Sequence, residues 1–147
     1  MCGICGSVSL EGREIDDHGL RPMLEAMVHR GPDGEGVLRR PGVAAGMRRL
    51  AVIDLEGGGQ PIANEDGSVA VLLNGEIYNY VELGKELLSK GHEFKTHSDT
   101  EVILHAWEEW GEEALGRFNG QWAFALWDSM RRELVLSRDR VGIRPLF

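Results

Sequence analysis

Met1-Cys2-Gly3-Ile4-Cys5-Gly6 begins this chain and places a cysteine directly after the initiator methionine. Removal of Met1 would leave a thiol and a free α-amine on one residue, which together make a nucleophile and an adjacent base. The ordinary pKa is about 7.7 to 8.0 for an α-amine and about 8.5 for a thiol, so a proton can pass between them near neutral pH. A lone cysteine at position 2 is more often an ordinary terminal residue, so this prediction depends on residues further along the chain.

The two cysteines also form a C-x-x-C spacing, for which a metal site, a redox pair and separate thiols are the alternatives. Residues 6–10 alternate like a strand, and residues three apart in a strand face opposite sides, which disfavours a disulfide. Cys5 is therefore interpreted as a small buried apolar residue. Zinc needs four ligands, and no histidines are paired at zinc-finger spacing, so we expect no metal site. The dispersed histidines are His18, His29, His92, His97 and His105.

Size and charge exclude several classes of protein. With 147 residues, the chain is long enough for one domain with its own core. Its net charge of -8 and its scattered arginine pairs disfavour nucleic-acid binding, which needs a basic face. No stretch approaches the length of a membrane span, and nothing before Cys2 could act as a secretory leader. We therefore expect a single cytoplasmic domain that binds neither nucleic acid nor a membrane.

Apolar spacing predicts three helices. Residues 19–29 form the first, which the Gly31-Pro32-Asp33-Gly34 segment follows. Leu83, Leu87 and Leu88 mark the second, ended by Gly91. The third covers residues 102–110, with Ser98 or Asp99 as its N-cap.

Strands are predicted at residues 43–52, 69–73, 121–128 and 133–137. The run at 69–73 is continuously apolar, which is typical of a strand buried on both faces. Asn74-Gly75 predicts a tight turn of type I′, and the last two strands predict a hairpin around residues 129–131. Because strands and helices occur in clusters without strict alternation, the order favours an α+β layered sandwich.

Several segments, in the same order, resemble the class II glutamine amidotransferase domain of asparagine synthetases. This resemblance implies that residues 1–147 form a type 2 glutamine amidotransferase domain, in which a glutaminase makes ammonia from glutamine. It also implies an N-terminal nucleophile hydrolase fold, a four-layer α/β/β/α sandwich with two antiparallel sheets. The segments are Met1-Cys2-Gly3-Ile4, His29-Arg30-Gly31-Pro32-Asp33, Arg49-Leu50-Ala51-Val52-Ile53-Asp54, Gly59-Gln60-Pro61, Asn74-Gly75-Glu76-Ile77-Tyr78-Asn79, Ser98-Asp99-Thr100-Glu101, and Arg138-Asp139-Arg140 with residues 142–147.

The resemblance supplies candidate catalytic residues for amide hydrolysis. The Cys2 thiolate would attack the side-chain amide of glutamine, with its own α-amine as base and later as acid, and form a thioester. The side-chain amide of Asn74 and the backbone N–H of Gly75 would stabilise the oxyanion. While Met1 remains, the nitrogen of Cys2 is an amide and cannot act as a base, so this mechanism requires the removal of Met1.

Four further residues are predicted to bind glutamine. The resemblance assigns Arg49 to the α-carboxylate, while Arg48 should point the other way if the segment is a strand. Asp99 is assigned to the α-ammonium, although the N-cap of the third helix is an alternative role. Glu76 and the backbone of Val52 are assigned to the pocket wall.

Two loops are expected near the nucleophile. Arg30 and Asp33 are predicted to shape the loop over Cys2 rather than to contact the substrate. Residues 56–60 do not match a phosphate-binding loop, because no Gly-Lys-Ser/Thr follows. We expect a flexible connection there that could close over glutamine.

The C-terminus differs from the full family pattern. The chain stops at Phe147 inside an apolar stretch, whereas family members continue with further strands and an ATP-dependent synthetase domain. We therefore expect a C-terminally truncated domain that needs no cofactor for the glutaminase step. ATP and magnesium are implied only for the absent synthetase domain. The implied partners are glutamine, a synthetase domain in cis and, as an option, a second copy in a homodimer.

Two alternative functions stay open. The first is the glutaminase half of another class II amidotransferase, such as one making phosphoribosylamine or glucosamine phosphate. The second is a non-catalytic module with the same fold. The joint presence of Cys2, Arg49, Asn74 and Asp99 weighs against the second alternative.

Overall fold

Two antiparallel sheets form the centre of the computed structural model, which describes residues 1–16, 19–55 and 57–147. His18, and Glu56 at the start of the segment 56–60, therefore lie outside the described residues. The strands are β1 (Gly3–Val8), β2 (Gly34–Arg40), β3 (Val43–Arg49), β4 (Ile62–Ala63), β5 (Val69–Ile77), β6 (Gly120–Asp128) and β7 (Glu133–Arg138). One sheet has the order β1-β3-β2, and the other has the order β4-β5-β6-β7.

The main helices lie on the outer faces of these sheets. They are α1 (Leu20–Ala26), α2 (Tyr80–Ser89) and α3 (Asp99–Trp110), followed by a 3-10 turn at Gly111–Glu113 and a short helix α4 (Ala114–Arg117). No helix within the described ranges is long and apolar enough to cross a membrane.

Alternating side chains on the strands create three hydrophobic interfaces. On β5, Val71 and Leu73 pack with α2 and α3, whereas Leu72 packs with Met47 of β3 in the other sheet. Leu24 of α1 packs on the opposite face of the first sheet. Burial of each large apolar side chain is worth about 1.5–3 kcal/mol. The layers are thus α1, the three-stranded sheet, the four-stranded sheet and the α2–α3 pair, which confirms the predicted α/β/β/α sandwich.

The three predicted helices are present with small differences in length. Helix α1 ends at Ala26, earlier than expected, because the N–H groups of Met27 and Val28 bond to carbonyls three residues back and tighten the chain into turns. Helix α2 ends before Gly91, which has a φ of +101°. Of the two candidate N-caps for α3, the structure selects Ser98, whose side chain accepts a hydrogen bond from the N–H of Thr100.

The predicted turn at Asn74-Gly75 is wrong. Both residues lie inside β5, where Asn74 pairs with Ala123 and Gly75 with Trp122 of β6. A type I′ turn requires positive φ at both central residues, and neither of these has one. The strand predicted at residues 43–52 ends at Arg49. Strands β2 and β4 were not predicted, since β2 is rich in glycine and charge and β4 has only 2 residues.

Cys2 and Cys5 lie on opposite faces of the first sheet, as the strand pattern predicted. Cys2 packs against the cluster between the sheets, whereas Cys5 packs against the cluster under α1. Both thiols are free, and Cys5 is only partly buried rather than fully buried as expected. Burial raises the pKa of the Cys5 thiol, although a hydrogen bond with the backbone of Gly46 opposes this effect. Cys5 therefore has less thiolate character than an exposed cysteine.

Candidate active site

One cleft brings together all the residues that the sequence analysis selected for catalysis and glutamine binding. The cleft encloses about 580 Å³ of space when its open mouth is included. Its lining also includes Met1, Leu50, Gln60 and Arg144. The selected residues are Cys2, Arg49, Val52, Asn74, Gly75, Glu76 and Asp99.

Strand register explains why these distant residues meet. Gly3 of β1 pairs with Arg48 of β3, so Cys2 lies beside the end of β3. Odd-numbered residues of β3, such as Met47, face the space between the sheets, and Arg49 continues that side of the strand. On β5, Asn74 continues the face of Leu72, which points into the same space. The cleft is therefore the open end of the inter-sheet layer.

The sulfur of Cys2 is held by the backbone of Leu50. The N–H of Leu50 donates to Sγ at 3.3 Å, and the thiol donates to the Leu50 carbonyl at 3.6 Å. Arg30 Nε donates to the carbonyl of Cys2 at 3.1 Å, and the N–H of Ala51 donates to Asp33 Oδ2 at 2.9 Å. Arg30 and Asp33 thus hold the backbone of Cys2 and of Ala51, next to Leu50, and their lack of contact with a substrate stays a prediction.

Met1 occupies part of the cleft. Its terminal ammonium donates to the carbonyl of Arg30 at 3.1 Å, and its side-chain sulfur contacts the guanidinium of Arg144. In this form of the chain the nitrogen of Cys2 is a peptide nitrogen. Removal of Met1 would both expose the α-amine of Cys2 and clear space next to its sulfur.

The N–H of Gly75 in β5 lies between two backbone N–H groups that already donate to side chains of the cleft. The N–H of Leu73 donates to Gln60 Oε1 at 2.6 Å, and the N–H of Ile77 donates to Asp99 Oδ2 at 2.8 Å. N–H groups two residues apart in a strand point to the same side, so the N–H of Gly75 points between Gln60 and Asp99.

Its partner in β6 confirms this direction. Both backbone groups of Trp122 bond to Asp139 on the far side, since the N–H of Asp139 donates to the Trp122 carbonyl at 2.8 Å and the N–H of Trp122 donates to Asp139 Oδ2 at 3.3 Å. Gly75 and Trp122 therefore form a pair without mutual hydrogen bonds, in which the backbones come closest. A Cβ on Gly75 would collide with the carbonyl oxygen of Gln121. The site thus requires glycine here and turns its N–H toward Cys2's cleft.

The guanidinium of Arg49 is bound to the loop that follows β3. Nη2 donates to the carbonyls of Ile53 at 3.1 Å and Asp54 at 2.6 Å, and Nη1 donates to the carbonyl of Leu55 at 3.2 Å. Arg48 lies on the other face of the strand, where its Nε donates to the carbonyl of Leu24. The predicted opposite directions of the two arginines are confirmed. Arg49 therefore places a fixed positive charge at the cleft wall.

Asp99 is a buried carboxylate at the first residue of α3. It is only 4% exposed, and burial raises its pKa, while the bond from the Ile77 N–H opposes the rise and the negative charge of Glu76 adds to it. A cation that binds beside Asp99 would compensate this unfavourable burial. The cleft is thus negative near Asp99 and Glu76 and positive near Arg49, a pattern that matches the two charged groups of an α-amino acid.

A family model described as a glutamine amidotransferase domain matches residues 1–147. The chain belongs to this family.

Relatives of this amidotransferase domain are considerably longer proteins. Glutamine-hydrolysing asparagine synthetase 1 of Bacillus subtilis (strain 168) is 41% identical over 150 residues, which cover all of this chain and 24% of the relative. Glutamine-hydrolysing asparagine synthetase 2 of the same organism is 44% identical over 150 residues, which cover all of this chain and 20% of the relative. The glutamine-hydrolysing asparagine synthetase of Zea mays is 45% identical over 152 residues, which cover all of this chain and 25% of the relative. The chain thus spans about a quarter of the length of these relatives.

A solved structure shows the same fold for this amidotransferase domain. The glutamine phosphoribosylpyrophosphate amidotransferase of Bacillus subtilis, in a complex with ADP and GMP, superposes with a TM-score of 0.72 over 98% of this chain and 38% of that chain. At 23% sequence identity, this similarity concerns the fold alone. It confirms the predicted fold of two stacked antiparallel sheets between helical layers.

Sequence reasoning assigned no role to several residues of the amidotransferase cleft. Gln60 bridges β5 and α3, since its Oε1 accepts from the N–H of Leu73 and its Nε2 donates to Thr100 Oγ1 at 3.0 Å. The Gly59-Gln60-Pro61 segment was recognised as part of the family pattern, but a glutamine in a loop has no characteristic spacing. Leu50 was missed because it acts through its backbone, which a sequence pattern does not specify.

The loop after β3 reaches the amidotransferase cleft. Gly58 lines the cleft, and the N–H of Gly57 donates to Asp54 Oδ1 at 2.9 Å. Val52, predicted to contribute its backbone, is 61% exposed and lies at the rim. Closure of residues 56–60 over glutamine stays a prediction.

Proposed function

We propose that this chain hydrolyses glutamine to glutamate and ammonia with Cys2 as the nucleophile. The observation that carries the proposal is the direction of the Gly75 N–H, which points into the cleft of Cys2 between Gln60 and Asp99. A donor in such a place can stabilise the negative oxygen that forms when a thiolate attacks an amide. The side chain of Asn74, which lines the same cleft, supplies the second donor.

The reaction proceeds in two halves once Met1 is removed. The α-amine of Cys2 takes the thiol proton, and the sulfur attacks the side-chain carbonyl carbon of glutamine. The C–N bond then breaks, the amine returns the proton to the departing nitrogen, and ammonia leaves a thioester on Cys2. Water, deprotonated by the same amine, attacks the thioester and releases glutamate and the free thiol.

The charges of the cleft orient the substrate for this attack. Arg49 binds the α-carboxylate of glutamine through its planar guanidinium. Asp99 binds the α-ammonium, and Glu76 adds negative charge on the same side. Binding at both ends holds the side-chain amide near Cys2, which replaces a collision in solution with a positioned reaction.

The proposed role of the domain within a longer protein follows from its relatives. Three relatives at 41–45% identity are named glutamine-hydrolysing asparagine synthetases. We infer that the ammonia made at Cys2 supplies the synthesis of asparagine from aspartate and ATP, with magnesium, in a synthetase domain of the same polypeptide. The cytoplasm, where both thiols stay reduced, is the proposed compartment, and a homodimer is the proposed assembly.

Ammonia release from glutamine by two forms of the chain tests the glutaminase proposal. Material without Met1, verified by intact mass, should turn over glutamine, whereas material that retains Met1 should not. Cys2→Ala should abolish turnover, and Cys5→Ala should preserve it because Cys5 lies on the opposite face of the sheet. Turnover by the form that retains Met1, or by Cys2→Ala, would contradict the assigned mechanism.

A further inference from the structure

A cluster of two imidazoles and one carboxylate lies outside the glutamine cleft. His92 follows α2, while His105 and Glu108 are on α3, and one donor atom from each lies within 4.8 Å of the others. His105 Nδ1 is 3.0 Å from Glu108 Oε2, and His92 Nδ1 is 3.7 Å from the same oxygen. Tetrahedral zinc with bonds of about 2.0–2.2 Å separates its ligand atoms by about 3.3–3.6 Å. Two of the separations, 3.0 and 3.7 Å, are close to this value, and all three ligand atoms lie within 4.8 Å of one another, so small side-chain movements would let them bind one ion.

We propose that His92, His105 and Glu108 bind a divalent transition-metal ion of the zinc type. Two imidazoles and one carboxylate favour zinc, cobalt or nickel over magnesium and calcium, which prefer oxygen ligands. The ion would join α3 to the segment after α2. The sequence analysis expected no metal site, because its dispersed histidines show no zinc-finger pairing; His92 and His105 are thirteen residues apart.

Two of the three proposed ligands have a hydrogen-bond partner on their other polar atom, and the third, His105, has a carboxylate nearby. His92 Nε2 is 3.3 Å from Glu109 Oε2, and Asn64 Nδ2 donates to Glu108 Oε1 at 2.8 Å. His105 Nε2 is 3.7 Å from a carboxylate oxygen of Glu101. Histidine ligands of metals typically direct their second nitrogen to a carboxylate, which fixes the tautomer and the ring orientation. His92 and Glu108 are thus oriented by outer hydrogen bonds, and a carboxylate lies near the second nitrogen of His105.

Burial and charge support the same assignment. His105 is 1% exposed, and its Nε2 has no hydrogen-bond partner within the described residues. A metal on Nδ1 would place the ring proton on Nε2, facing Glu101. Lys90, 2.8 Å from Glu109, is the cation that pairs with this acidic surface. Since Glu101, Glu108 and Glu109 surround the histidines, a divalent cation would balance the remaining negative charge. His92 and Glu108 have side chains 16% and 24% exposed, so an ion can enter from solvent.

Titration with zinc and with cobalt tests the proposal on the chain after removal of metals by EDTA. We expect one equivalent to bind and the midpoint of thermal unfolding to rise by at least about 3 °C with excess zinc. Cobalt should show the visible absorption of a four-coordinate site without the near-ultraviolet band of a sulfur ligand. That band would instead assign the ion to Cys2 or Cys5 and overturn the proposal.

Variants locate the ion and separate this site from the proposed glutaminase site. His92→Gln and Glu108→Gln alter partly exposed side chains, and their folding is verified by thermal unfolding in EDTA. Both should lose the equivalent of zinc and the rise in midpoint, whereas His29→Gln, at an exposed histidine, should keep them. Equal zinc binding by His92→Gln and the native chain would refute the site, as would the absence of saturable binding. Neither result depends on glutamine turnover.

Discussion

Asp99 Oδ2 accepts a hydrogen bond from the backbone N–H of Ile77 at 2.8 Å, which fixes the start of α3 against the cleft edge of β5. Two residues along a strand cover about 6.7 Å, so the donor at Gly75 lies about that far from the donor at Ile77. An extended glutamine spans a similar length between its α-amine and its side-chain carbonyl. In the proposed mechanism, a single strand edge therefore sets both the ammonium site and the oxyanion site.

Asp99→Asn should weaken glutamine binding without unfolding the protein. The loss of a charged partner for the α-ammonium is worth about 1.5–3 kcal/mol, which corresponds to a rise in KM of roughly 10- to 150-fold. Asparagine retains an oxygen that can accept the bond from Ile77. Steady-state kinetics with glutamine measure the effect. Asp128→Asn, which alters a buried aspartate of the β6–β7 hairpin, should lower the midpoint of thermal unfolding and leave KM unchanged.

The carboxyl group of Asp99 should make both the stability of the fold and the KM for glutamine depend on pH. Burial raises the pKa of Asp99 in the folded protein above its unfolded value, with Glu76 adding to the rise. The raised pKa means that the protonated carboxyl contributes to the free energy of unfolding. This contribution is fully present below the unfolded pKa and is lost as pH rises through the folded pKa. KM for glutamine should increase as pH falls toward that pKa, because the protonated acid cannot pair with an ammonium. Asp99→Asn should remove this dependence, and a native pH profile in the variant would argue against the assignment.

Arg49→Lys and Arg48→Lys should affect different properties. Lysine cannot reproduce the planar fork that contacts the carbonyls of residues 53–55 and, in the proposal, the substrate carboxylate. Arg49→Lys should therefore raise KM for glutamine by at least about tenfold, because it removes a charge-assisted hydrogen bond. Arg48→Lys disturbs the contacts with Leu24 and Glu35 on the other face and should lower only thermal stability. Similar KM values for both variants would exclude Arg49 from the carboxylate site.

The sequence predicted which residues line the cleft, but it did not predict their local backbone conformation equally well. Apolar spacing identified α2 and α3, and a continuous apolar run identified residues 69–73 of β5, because their buried faces use strong apolar residues such as Leu83, Val102 and Val71. The Asn74-Gly75 pair was misassigned, since its short-range preference for a turn is overridden by pairing with β6. The histidine cluster was not predictable, because His92 and His105 meet only after α2 packs on α3. Local propensity thus failed where long-range pairing decides the backbone.

Gly75→Ala and Gly84→Ala should have opposite effects on stability. A Cβ on Gly75 would collide with the Gln121 carbonyl and lie 2.6 Å from Cα of Trp122, so β5 and β6 would have to separate. Overpacking of this kind costs about 1–3 kcal/mol. On Gly84, inside α2, the nearest atom to a Cβ is a methyl of Val102 at 4.0 Å, so alanine should stabilise by about 0.5–1 kcal/mol. Urea denaturation measures both, and a neutral Gly75→Ala would contradict the close strand pair.

Asn74→Ala should lower kcat for glutamine by about 10²- to 10³-fold with little change in KM, because an oxyanion donor acts mainly in the transition state. Asn74→Asp has nearly the same volume, and its negative charge should cause at least as large a loss. Asn79→Ala is a matched control, since Asn79 bonds to the backbone of Arg117 and Asn119 and does not line the cleft. Asn79→Ala should lower the stability of the fold and leave kcat and KM unchanged. A change in KM without a change in kcat for Asn74→Ala would assign Asn74 to substrate binding instead.

Gln60 is predicted to position the oxyanion donors without contacting the reacting atoms. Its bond from the Leu73 N–H fixes the residue before Asn74, and Leu73 is almost fully buried, so Gln60→Ala leaves that N–H unpaired at a cost of about 1–3 kcal/mol. Because Asn74 and Gly75 would then shift, kcat should fall more than KM rises. Gln60→Glu keeps an acceptor for Leu73 and should restore most of kcat. If both variants lower only the midpoint of thermal unfolding and kcat stays native, Gln60 stabilises the fold and does not position the donors.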